Sequence, residues 1–228
     1  MADKMRVALE VGPKGKKHAA WAIDWPGLSR GGKTEQGTVE TVDAYRTRYA
    51  PIAKLAGLNA EFDAITGPGE VTSYPGIGGT DFWGISFAVS PFDEPPYTEP
   101  EPELERHLTL LQACWDFFDQ VRGRVSAELR KGPRGGGRDR DRIVRHVVWN
   151  EMDWGSHLGL PRLPDEPVWD EAAVLPHREA YVAAIRGYAA EGKHAPKRNL
   201  RYLVRHSAYH TLDHAWEMED KDLSASSS

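Results

Sequence analysis

The chain has a single cysteine, Cys114, among 228 residues, so an internal disulfide is excluded. No apolar run approaches the roughly 20 residues that a membrane-spanning helix requires. The N-terminal stretch also lacks the apolar core of a secretory signal peptide. Excess positive charge is missing as well: the formal net charge is −5 and the isoelectric point about 6.0. The electrostatic footprint of a nucleic-acid binder is therefore absent overall. These absences lead us to expect a cytoplasmic protein with neither a membrane nor a nucleic acid as partner. Arg130–Arg140 is a local exception, being basic and rich in glycine.

With 40% hydrophobic residues, the chain can build one large domain or two small ones. Its character changes near residue 100. Met5–Val11 alternates as a strand does, and Ala19–Asp24 reads as its hairpin partner across a loop holding Gly12, Pro13 and Gly15. Pro26 and Gly27 then break the strand. Thr38 reads as the N-cap of a helix carrying Val39, Val42, Tyr45, Tyr49 and Ile52, with Pro51 kinking or ending it. Phe82–Val89 resembles a further strand. Residues 1–90 are thus expected to form a small α+β unit, and the proline-rich, acidic residues 91–102 an extended linker.

From Glu103 the period becomes helical. Leu104, Leu108, Leu111, Trp115, Phe118, Val121, Val125 and Leu129 recur at steps of three and four. A second helix, capped by Asp139 or Asp141, runs through Ile143, Val147, Trp154 and Leu158. A third has Pro176 in its first turn and stops near Gly192. A fourth runs from about Pro196 to Asp220. Four such helices suggest a bundle over residues 103–222, with residues 223–228 as a polar tail. Cys114 falls in the apolar stripe of the first helix and reads as a packing thiol. Tyr202, Tyr209 and Trp216 form a stripe on the fourth helix, expected to pack against the N-terminal unit or a second protomer.

The sharpest signal is His210 with His214. Residues four apart on a helix share a face, with Cβ atoms about 5–6 Å apart, so two imidazoles can share one divalent ion. His146, on the core side of the second helix between Ile143, Val147 and Asn150, can complete the set if the second and fourth helices are neighbours. His18, His107, His157, His177, His194 and His206 have no such pairing and read as surface or packing residues.

Two segments carry a family resemblance: Ile143–Glu151 around His146, and Arg201–Glu217 around His210 and His214. Together they resemble the DinB/YfiT-like metal-binding proteins over residues 103–220. That resemblance implies an up-down-down-up four-helix bundle, often dimeric. It implies one divalent metal on His146, His210 and His214, and in some members transfer of a small thiol such as mycothiol or bacillithiol. More weakly, Trp21–Leu28 and the helix after it resemble the HicB-like fold over residues 5–60.

Three histidines leave one position open on a tetrahedral ion, the mark of a catalytic rather than a structural site. Such an ion suits activation of a thiol or of water. The expected function is a metal-dependent thiol S-transferase, with Zn or Ni as the ion and Fe or Cu as alternatives. Glu151, Asp213 and Glu217 are candidates to orient the ligands or to move protons. Arg134, Arg138 and Arg140 could hold an anion such as the carboxylate of a thiol cofactor. The rival readings are a metal-dependent hydrolase and a non-enzymatic, metal-containing binding module. A transcriptional regulator would need a basic face on the N-terminal unit, and none is evident.

Overall fold

The computed structural model describes residues 3–76, 90–97, 102–132, 137–162, 170–193, 195 and 199–224. The expected strand Phe82–Val89 lies outside these residues, as do Arg134 and His194.

The N-terminal strands are β1 (Asp3–Val11), β2 (His18–Ala22), β3 (Ser29–Gly32) and β4 (Ile65–Pro75). They form one mixed sheet in the order β3-β2-β1-β4, in which β1 is antiparallel to β2 and parallel to β4. Three helices connect β3 to β4: α1 (Glu35–Ala44), α2 (Arg46–Leu55) and α3 (Asn59–Asp63). Met5, Val7 and Leu9 face these helices in the main core, whereas Ala8 packs on the other face with Trp21 and Tyr74. The cap of α1 is Thr34, whose Oγ1 accepts from Gly37 N, and not Thr38 as expected. Thr38 is fully buried against Gly32, where a Cβ would clash with its hydroxyl. Pro51 sits inside α2 because Tyr49, Ile52 and Ala53 are all buried there, and this packing outweighs the lost hydrogen bond.

Four longer helices follow: α4 (Pro102–Arg124), α5 (Arg140–Ser156), α6 (Glu171–Ala190) and α7 (Leu200–Lys221). α4 stops at Arg124, short of the expected Leu129, which instead bridges to Asp222 beyond α7. α6 starts before Pro176, at an N-cap made by Asp170, whose carboxylate accepts from Ala172 N.

The expected arrangement, an α+β unit followed by a separate four-helix bundle, requires correction. The described structure is α+β: a four-stranded mixed sheet and then helices, seven in all among the described residues. Its N-terminal α+β unit fits the expectation, but a four-helix bundle is not what the helices form. α4 packs against α2 as well as α7, and α7 is buried without interruption from Tyr202 to Tyr209. A bundle helix would keep one face in water. Here that face meets the N-terminal unit: Gly27 (φ +96°) lies so close to α7 that a Cβ would meet Leu212 Cδ1 at 2.8 Å. Trp216 packs edge-on to Tyr45, so this end of the aromatic stripe meets the N-terminal unit as expected. The main hydrophobic core runs from Met5 to Met218.

Residues 90–97 of the proline-rich segment lie against α7. Asp93 is buried and accepts from Arg205 Nε at 3.0 Å, Asn199 donates to the Asp93 carbonyl, and the Tyr97 hydroxyl meets His107 Nδ1 at 3.1 Å. No described helix is long and apolar enough to cross a membrane.

Candidate metal centre

α5 and α7 are neighbours, as the histidine spacing requires. His146 comes from α5, and His210 and His214 from successive turns of α7. One ring nitrogen of each lies within 4.8 Å of those of the other two. His146 Nε2 and His210 Nε2 are 3.1 Å apart, and the three ring centroids are 4.7–5.0 Å apart. A tetrahedral ion with bonds of about 2.0–2.1 Å holds its nitrogen ligands about 3.3 Å apart, so the first pair is already at coordination spacing.

Burial, followed by the neighbouring His214, pushes the His146 pKa down to about 4. The same two causes, with His206 and then His146 next, hold His210 well below its ordinary value. Both imidazoles are therefore neutral near pH 7, the state in which a nitrogen lone pair can bind a metal. One edge of His210 reaches the surface, yet its Nδ1 is buried without a hydrogen-bond partner. The fold therefore gains no hydrogen bond at Nδ1 from burying this ring. His214 donates from Nδ1 to Glu217 Oε2 at 2.7 Å, which leaves Nε2 as the nitrogen that can offer a lone pair to a metal. That bond, and then Lys221, lower the Glu217 pKa to about 2. The donor set, its spacing and the neutrality of His146 and His210 fit a divalent ion.

The inner wall of the site is aromatic. Trp154 of α5 lies edge-on to His210 at 5.1 Å and to His206 at 4.7 Å, and His206 stacks on Tyr202. His206 is thus a packing residue, as are the buried His18, His107 and His177.

Of the three expected acidic partners, Glu217 alone touches the triad. Glu151 is buried and binds Arg178 through both oxygens, at 2.9 and 3.0 Å. Asp213 binds Arg30 Nη1 at 2.6 Å, and Arg30 lies over the rings of Tyr45 and Trp216. In the basic loop, Arg140 is engaged by Asp141 and the Val125 carbonyl. Arg138 is exposed, and its charge contributes to lowering both His146 and His210.

Sequence reasoning missed Trp154 and Arg30. Trp154 was read only as part of the second helix's apolar stripe, although it lies about two turns beyond His146 on the side that faces the fourth helix. Arg30 is 183 residues from Asp213, and no local pattern announces the pair. No family model, curated protein or solved structure matches the chain.

Proposed function

We propose that His146, His210 and His214 hold one divalent ion, Zn or Ni before Fe or Cu, and that the protein is a metal-dependent thiol S-transferase of the DinB-like kind. The observation that carries this reading is the convergence of three imidazoles from two helices, two of them kept neutral by burial. When bound, such an ion supplies a Lewis acid that favours the thiolate form of a thiol. The chain's own residues do the rest. Glu217 fixes the His214 tautomer and ring orientation. Trp154 closes the inner side with apolar surface, which keeps water to the outer side. Three protein ligands leave room on the ion for a substrate atom.

The test is metal content of the purified protein beside His210→Ala. About one equivalent of Zn or Ni in the wild type, lost in the variant, supports the site. Thiol-dependent modification of a model electrophile, lost in the same variant, then supports the transferase. Hydrolysis without added thiol would favour the hydrolase instead. A wild type that holds no metal and takes up neither Zn nor Ni removes the metal reading and leaves the binding module.

A further inference from the structure

The described arginines are nearly all engaged. Arg30, Arg178 and Arg205 are buried in ion pairs, and Arg48, Arg106, Arg124, Arg186 and Arg201 bind carboxylates nearer the surface. Arg138, Arg142 and Arg145 depart from this pattern. All three are exposed, and among the described residues none has a hydrogen bond or ion pair. In a chain of net charge −5, three arginines with no bonded carboxylate on one short stretch call for an explanation; Asp139, which is bonded to Lys131, feels the charge of Arg142 without bonding it.

Their placement supplies one. Arg138 lies two residues before α5, and Arg142 is one helical turn before His146 on the same edge of α5. Trp149 lies three residues beyond His146 on that edge and is 50% exposed, one of the few large apolar side chains so placed. The outer edge of α5 at the triad therefore carries the Arg142 guanidinium and an open indole, with Arg138 in the residues that lead into the helix. Arg145 sits further round the helix, away from α7.

We infer that Arg138 and Arg142 form an anion subsite beside the metal centre, which holds a carboxylate or similar oxyanion of the molecule brought to the ion, with Trp149 as its apolar wall. This inference rests on the metal reading above. It narrows the substrate class to a small molecule carrying both a metal-binding atom, such as a thiol sulfur, and a negative group a few bonds away. Guanidinium forks match carboxylate geometry, and charged partners at a rim select among ligands by sign.

The test uses the cobalt(II)-loaded full chain, titrated with mercaptosuccinate and with the neutral thioglycerol. Binding is read from the charge-transfer absorption of thiolate on cobalt. The wild type should favour mercaptosuccinate by about tenfold, or about 1.4 kcal/mol, the scale of two partly screened charge pairs. Added salt should shrink that preference. The Arg138→Gln/Arg142→Gln double variant should bind cobalt normally and lose the preference. Equal binding of the two thiols by the wild type, or a preference that persists in the double variant, overturns the subsite and leaves the metal site standing. A wild type that takes up no cobalt overturns both.

Discussion

At the residue scale, the triad depends on side chains that are not themselves ligands. Glu217 is the clearest. It accepts from His214 Nδ1 at 2.7 Å and is held in turn by Lys221 at 2.5 Å. Replacing Glu217 by Gln keeps the shape but removes the charge that favours the Nδ1–H tautomer. Metal affinity should fall about 10- to 100-fold, the usual effect of losing such a partner. Competition with a chelator of known affinity measures it. An unchanged affinity would mean that Glu217 serves only to pair Lys221. His107 offers a pH signature away from the triad. Burial is the largest cause holding its pKa down to about 4, against an ordinary value of 6.5. Below pH 6.5 the unfolded chain takes up a proton that the folded chain refuses. Stability is thus fully present above pH 6.5 and is lost as pH falls towards 4. Between pH 7 and pH 5 this one group should cost about 2 kcal/mol. Urea unfolding at the two pH values should show a smaller drop for His107→Gln than for the wild type. Equal drops would mean that His107 is not the group responsible.

At the scale of elements, helices were legible where their apolar period was unbroken. The cores of α4, α5 and α7 follow the spacings of Leu104–Val121, Ile143–Trp154 and Leu200–Met218. β4 was not among the expected strands for a physical reason: Gly67, Pro68, Gly69 and Pro75 break strand alternation, yet β4 forms at the edge of the described sheet. There prolines need donate nothing outward, and register shifts near Asp3 and Met5 absorb the irregularity. Pro176 misled in the same way, because burial of Val174, Tyr181 and Ile185 carries α6 through it. The histidine triad was legible because two of its members share one helix. Glu151 was read as a candidate for chemistry, but its binding of Arg178 was invisible in sequence. That ion pair joins α5 to α6, and Asp119 of α4 accepts from the same guanidinium at 3.0 Å. Arg178→Met should therefore strand a buried carboxylate and cost about 3–5 kcal/mol in chemical denaturation. Metal stoichiometry of the fraction that remains folded should not change. A cost below about 1 kcal/mol would show that these helices need no such clamp.

At the scale of the whole molecule, α7 belongs to two sets of contacts at once. It presents His210 and His214 beside α5, and it carries the residues that the N-terminal unit grips. Arg30 from β3 binds Asp213, the neighbour of His214, and Arg48 from α2 binds Glu219 at 2.9 Å. The main core is shared, from Met5 and Trp25 to Trp216 and Met218. The sequence changes character near residue 100, which suggests two units, but burying α7 on both sides couples their stability. Unfolding should accordingly be a single transition, with tryptophan fluorescence and far-ultraviolet circular dichroism coinciding. An ion bound only to the folded triad stabilises whatever unfolds together with the triad. At a free metal concentration 100 times its dissociation constant, that gain is about 2.7 kcal/mol. Zinc should therefore raise the midpoint of the whole transition, including the signal of a variant that keeps only Trp21 and Trp25 from the N-terminal unit. If the N-terminal signal stayed in place while the helical signal moved, α7 would not couple the two parts. In that case the grip of Arg30 on Asp213 would be a contact with no hold on the site.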